Sequence, residues 1–235
     1  MMEQVKITKE ISYIKSSTEP LSAEVGMIEG EQYIYLFDVG NNKAVSEYLE
    51  TLPKPKKIIL SHFHPDHIGN IGNILFEKVY VGANTEKYLQ NYISNYATER
   101  MAELTGVLSS ILGEPLVEAK KSRYEMVLEP ICIEDGIKLE IYSMPNSHAK
   151  GSLALLVNES YLFLGDALYS KTKGNKYVYN AQLLKEEIEL LKQLPAKFII
   201  SSHATPPVRE KSIELSRLEE IYAKRKKEDA YIYLQ

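Results

Sequence analysis

Six consecutive residues, His62-Phe63-His64-Pro65-Asp66-His67, crowd four metal-capable side chains into one stretch just after the apolar run Lys57-Ile58-Ile59-Leu60. A short, continuous apolar run of this kind reads as a strand buried on both faces. The chain must therefore fold so that a polar loop emerges from the end of a central strand, a place where active sites are often built. Within the loop, His62 and His64 are two apart and can point one way. Asp66 and His67 occupy the next bend and can serve a second ion. Imidazole and carboxylate are the donors zinc takes when no thiolate is offered, and Pro65 stiffens the loop that presents them.

Three further residues stand in similar settings. His148 lies in Pro145-Asn-Ser-His-Ala-Lys-Gly151, just before a strand-like segment. Asp166 ends the apolar run Tyr161-Leu-Phe-Leu-Gly165, and His203 follows Phe198-Ile-Ile200. Each sits where a strand meets a loop, and such positions can converge at one sheet edge. The chain has 5 histidines, and all of them fall in these stretches.

These residues resemble the signature of the metallo-β-lactamase superfamily: His-x-His-x-Asp-His, then a His, an Asp after an apolar strand, and a final His. All seven positions are filled, in order, across nearly the whole chain. The resemblance implies an α/β (α+β) fold, a four-layer αββα sandwich with a two-metal site at one edge. It implies that His62, His64 and His148 bind one ion, that Asp66, His67 and His203 bind the other, and that Asp166 bridges them. Two divalent ions, zinc first with iron or manganese as alternatives, would carry a bridging hydroxide that cleaves an ester, thioester, lactone or phosphodiester-type bond. With every histidine spent on a metal, proton transfer falls to metal-bound water, Asp66, Asp166 or Tyr169. Tyr169, three residues after Asp166, matches the spacing seen in lactonases of this fold, where the phenol polarises the substrate carbonyl. Asp38, in a strand-ending Asp-x-Gly, matches an acidic position that supports the ligand loop; a plain strand-end turn explains it equally well.

The resemblance also separates branches. A β-lactamase with a cysteine ligand would need that thiolate in its second half, but Cys132 precedes His148 and reads as a core residue. Asp166 as a bridge points to the glyoxalase-II-like and lactonase-like branches. Glyoxalase II carries a C-terminal helical domain, whereas only about 30 residues follow His203. Flavodiiron proteins place Glu where this chain has His64. Two alternatives stay open: a mononuclear iron dioxygenase acting on persulfides, and a metal-binding sensor or scaffold without turnover.

The rest of the pattern fits one domain over residues 1–235. Strands are expected at Glu24 to Glu29, Gln32 to Asp38, Ile131 to Ile133, Ile137 to Tyr142, Ser152 to Val157, Tyr161 to Leu164 and Lys197 to Ser201. Amphipathic helices are expected at Lys43 to Thr51 and Gln182 to Leu194, with a charged one from about Val208 to Lys227. This order suggests two sheets sandwiched between helices, with which a doubly wound sheet is also compatible. A helical insert of about 84–123 carries Tyr88, Tyr92 and Tyr96 at helical spacing, which suits a lid over the site, ordinary packing or a homodimer face. Lys171, Lys173 and Lys176 read as a loop near the metal edge that could meet an anionic small-molecule substrate.

Composition narrows the partners. A net charge of -4 argues against a general nucleic-acid binder, which needs a cationic surface. One cysteine allows no internal disulfide. No apolar run approaches the roughly 20 residues that span a bilayer, and the charged, alternating start is unlike a signal peptide, so the expected setting is cytoplasmic, without membrane.

Overall fold

The computed structural model describes residues 2–89, 123–226 and 228–234. Two large sheets face each other. One has seven strands in the spatial order Gln4–Lys6, Ile11–Ile14, Val25–Glu29, Ile34–Phe37, Lys56–Ile59, Lys78–Val81 and Tyr124–Met126. The other has six: Ile131–Glu134, Lys138–Met144, Ser152–Val157, Tyr161–Gly165, Phe198–Ser201 and Val208–Glu210.

The period of two along each strand sorts side chains into separate layers. Tyr35, Phe37 and Ile59 from the first sheet share a buried cluster with Leu139, Leu153, Leu155 and Phe163 from the second, which is the core between the sheets. Their neighbours Leu36 and Ile58 point outward, against Val45 and Leu49 of the helix Lys43–Glu50. Ala154, Leu156 and Leu162 point outward on the other side, against Leu184, Ile188 and Leu191 of Ala181–Gln193 and Leu218 and Ile221 of Lys211–Ala223. Helix, sheet, sheet, helix is the resulting order, the αββα sandwich expected above. Asn42 caps the first helix through Ala44 N and Asn180 caps the second through Leu183 N.

Strand direction places the site. Ile34–Phe37, Lys56–Ile59 and Lys78–Val81 run parallel, as do Tyr161–Gly165 and Phe198–Ser201. Their carboxyl ends lead into Asp38, Ser61-His62, Asp166 and Ser202-His203. The sheets are tied together at this edge by Leu153 N donating to Ser61 O at 2.8 Å. Gly165 makes the approach possible: its φ is +55° and a Cβ there would lie 2.5 Å from Ser61 Oγ.

Several expectations need correction. Val208–Glu210 is a strand, because it pairs antiparallel with Phe198 to Ile200, so the last helix begins at Lys211 and ends at Ala223. The lysine loop is a hairpin, Lys171–Lys173 and Lys176–Asn180, joined by Tyr231–Tyr233 into a small sheet. Cys132 is exposed, because Ile131–Glu134 is an edge strand that turns Ile131 and Ile133 inward instead. Lys78–Val81, in which Lys78 and Tyr80 alternate with two valines, is an additional strand. Of the tyrosine stripe, Tyr88 lies in the helical residues 83–89, exposed, with its ring stacked on Phe63 at 4.2 Å; Tyr92, Tyr96 and most of the insert lie outside the described residues. Among the described residues, no helix is long and apolar enough to cross a membrane.

Candidate metal centre

The loop after Ile59 places its candidate ligands by a short helix. Pro65 occupies the first helical position of Pro65–Ile68, where its fixed φ and missing N–H are tolerated, and His64 is the residue before it. His64 stays extended at φ -68° and ψ 143°, while Asp66 and His67 are carried onto the helical turn. The change of backbone between His64 and Asp66 separates the two donor pairs.

Seven side chains meet there in two groups that share one carboxylate. His62, His64, His148 and Asp166 bring one donor atom each within 4.8 Å of one another, and so do Asp66, His67, Asp166 and His203. In the first group, His62 Nε2 and His148 Nε2 lie 2.9 and 3.1 Å from His64 Nδ1. Nitrogens around tetrahedral zinc, with bonds of 2.0–2.1 Å, stand roughly 3.3 Å apart. In the second group, His203 Nε2 is 2.9 Å and His67 Nε2 3.5 Å from Asp66 Oδ2. Asp166 Oδ2 is 3.4 Å from both His148 Nε2 and His67 Nε2, one donor from each group.

Two atoms test whether the site fits metal ions. His67 Nε2 and Asp166 Oδ1 are buried and have no hydrogen-bond partner among the described residues. Buried polar atoms are almost always satisfied. His67 Nε2 lies 3.4 Å from Asp166 Oδ2 and 3.5 Å from Asp66 Oδ2, and a cation among these atoms would satisfy it and draw on the Asp166 carboxylate. The donor set, imidazole with carboxylate, suits a divalent ion.

The electrostatics differ between the halves. Burial, followed by the neighbouring histidines His67, His64 and His148, pushes the His62 imidazole far down, so it stays neutral with a free lone pair. Burial and His148 push His64 down as well. Burial also works against a charged His67, but Asp38 and Asp166 outweigh it and raise that group to about 10. Its bond to Asp66 raises His203 against burial. At Asp66, burial acts upward but the contacts with His203 and His67 prevail, so its carboxyl is held low.

Asp38 underlies this half. Fully buried, with φ +62°, it accepts from Ser61 N, Ser61 Oγ and His67 Nδ1, each at 2.7 Å. Carboxylates that orient a ligating imidazole from behind fix its tautomer and raise its basicity. Asp38 therefore holds the loop of candidate ligands from behind, through Ser61 and His67. Tyr169 stands beside His148 with ring centroids 6.4 Å apart, but its hydroxyl donates to Ser202 O at 2.7 Å. Burial and Asp166 push that phenol up to about 12, so it remains a donor. The catalytic role expected of Tyr169 thus finds its hydroxyl already engaged.

Sequence reasoning missed Glu24. In the sequence it marks only the start of a strand, yet its buried carboxylate accepts the His203 N–H at 2.7 Å. No local pattern marks it, because the contact spans the fold.

A family model described as the metallo-beta-lactamase superfamily matches residues 18–203. The chain is similar to the metallo-beta-lactamase fold-containing protein ST1585 of Sulfurisphaera tokodaii, 27% identical over 188 residues, 73% of this chain and 70% of that protein. Among solved structures it resembles the stereoselective inverting sec-alkylsulfatase Pisa1 from Pseudomonas sp., with a TM-score of 0.63 and 17% identity over 95% of this chain and 42% of that one. It also resembles a metallo-beta-lactamase from Pontibacter korlensis, with a TM-score of 0.57 and 17% identity over 93% of this chain and 99% of that one. At such identities the structural likeness speaks for the fold alone.

Proposed function

The chain belongs to the metallo-beta-lactamase superfamily, and from that premise we propose that it is a dinuclear metallohydrolase, zinc-loaded, acting on a small ester, thioester, lactone or phosphodiester-type substrate. His62, His64 and His148 would hold one ion, Asp66, His67 and His203 the other, and Asp166 would serve both. The observation that carries the reading is the shared carboxylate: Asp166 Oδ2 lies 3.4 Å from a donor of each group, while Oδ1 is buried without a partner among the described residues. When bound, the ions would supply Lewis acidity and a water acidified to near neutrality.

The chain's own residues set the conditions for that chemistry. Neutral His62 and His64 offer lone pairs without first losing a proton. Asp38 and Ser61 fix the rear of His67, leaving Nε2 directed at the donors. Phe63 and Tyr88, stacked at 4.2 Å, form an aromatic wall beside His64 that suits an apolar part of the substrate.

The test joins metal analysis of the purified chain to a screen of esters, lactones, thioesters and phosphodiesters. Two ions per chain and turnover are expected, with His64→Ala losing metal and activity together. Turnover by metal-free protein would overturn the reading. Iron with oxygen uptake on glutathione persulfide would move it to a dioxygenase, and tight ligand binding without product to a sensor.

A further inference from the structure

The peptide group joining Ser202 to His203 is gripped at both ends. Its carbonyl oxygen accepts from Tyr169 OH at 2.7 Å, and its N–H donates to Glu24 Oε2 at 2.7 Å. One residue earlier, Ser202 N donates to Gly165 O at 3.0 Å. His203 needs such restraint, because its φ of +59° is left-handed, a conformation that L-residues rarely adopt. Rotation of this peptide plane would change φ of His203 and swing its imidazole away from Asp66 Oδ2, 2.9 Å distant.

Glu24 belongs to a buried segment that holds more than His203. Ala23 N donates to Asp66 O at 2.9 Å, and Ser22 Oγ accepts from Asn41 N at 2.9 Å. Asp66 and His203 are 137 residues apart in sequence, yet adjacent residues, Ala23 and Glu24, bind the backbone of each. Among the described residues, no hydrogen bond joins His62, His64 or His148 to this segment.

We propose that Glu24 is a positioning residue for the second metal half-site: with Tyr169 it locks the Ser202–His203 peptide, and so sets His203 against Asp66. A carboxylate accepting a backbone N–H makes a charge-assisted bond, stronger than the neutral kind and suited to holding a strained residue. The inference rests on the two-ion reading above and divides the site into halves with separate supports. Outer supports of metal ligands typically contribute 10–100-fold in affinity.

The experiment is equilibrium dialysis of wild type, Glu24→Ala, Glu24→Gln and Tyr169→Phe against zinc at graded free concentrations, with bound metal counted per chain. Glu24→Ala should weaken the second ion by about 10–100-fold while leaving the first within about 3-fold. Glu24→Gln keeps an acceptor oxygen and should restore most of the difference. Tyr169→Phe should weaken the second ion alone. Wild-type affinity for both ions in Glu24→Ala would overturn the inference. Loss of both ions in step, or failure of Glu24→Ala and Glu24→Gln alike to fold, would also overturn it by making Glu24 a support of the fold. A wild-type chain that binds fewer than two ions would instead remove the two-ion reading, and the inference with it.

Discussion

Asp38→Asn changes one atom in the support behind His67 and should alter stability, pH response and metal binding together. In the native chain, Asp38 Oδ1 takes the Ser61 N–H and Oδ2 takes both Ser61 Oγ–H and His67 Nδ1–H, all at 2.7 Å. An amide can keep its oxygen on Ser61 N, but its NH2 then faces Ser61 Oγ and His67 Nδ1. The serine hydroxyl can turn to accept. His67 can accept only after losing its Nδ1 proton, which leaves a neutral ring with its proton on Nε2, the atom directed at the other donors. The exchange replaces a charge-assisted bond, about 1.5–3 kcal/mol, by a neutral one of about 0.5–1.5, a net loss of roughly 1–2 kcal/mol. For a chain of this length that lowers Tm by about 2–8 °C.

The pH dependence follows from the same contact. In metal-free protein, burial opposes the charged His67, but Asp38 and Asp166 prevail and raise it to about 10. A group raised on folding contributes stability that is fully present below its unfolded pKa of about 6.5 and is lost as pH climbs through the folded value. Metal-free wild type should therefore lose stability between about pH 6.5 and 10, and Asp38→Asn should show a shallower slope. Thermal melts of both proteins after chelation, at several pH values in that window, measure it. Equal Tm and equal slope in the two proteins would refute the reasoning.

Other perturbations address other parts of the molecule. Glu187 is fully buried, with neither carboxylate oxygen partnered among the described residues, and burial raises its pKa despite Arg217. A raised carboxyl weakens the fold as pH rises above its unfolded value of about 4.3, so Glu187→Gln should gain on wild type from pH 5 to pH 8 in urea melts. A constant difference would show that Glu187 does not titrate in this way. At Gly82, a Cβ would lie 1.9 Å from Gly151 O, in the turn that follows His148. Gly82→Ala should destabilise by about 1–3 kcal/mol and lower affinity for the first ion more than for the second, read by urea melts and zinc dialysis.

The layers were legible because burial on both sides leaves a plain mark: Ile58-Ile59-Leu60 and Phe163-Leu164 read as strands from composition alone. His62, His64, Asp66 and His67 were legible because a metal loop needs rare residue types at close spacing, whereas His148, Asp166 and His203 showed only through their strand-end settings and the family resemblance. Edges were harder to read. Val208–Glu210 carries Arg209 and Glu210 and looks like a helix start, yet tertiary pairing with Phe198 to Ile200 makes it a strand. Lys171 and Lys173 spoke for a loop, but their chains lie over Tyr231, whose strand comes from the far end of the sequence. Glu24 was invisible for the same reason. A carboxylate beside a strand has no local signature when its partner is a backbone N–H brought up by the fold.

The central claim is that two ions sit between these donors. X-ray diffraction from crystals of the purified chain, collected on either side of the zinc absorption edge, measures it directly. Two anomalous peaks about 3.5–4 Å apart are expected, one among His62, His64 and His148, the other among Asp66, His67 and His203, with Asp166 reaching both. Crystals grown with zinc that show no anomalous peak at these residues, or a peak only elsewhere on the surface, would contradict it.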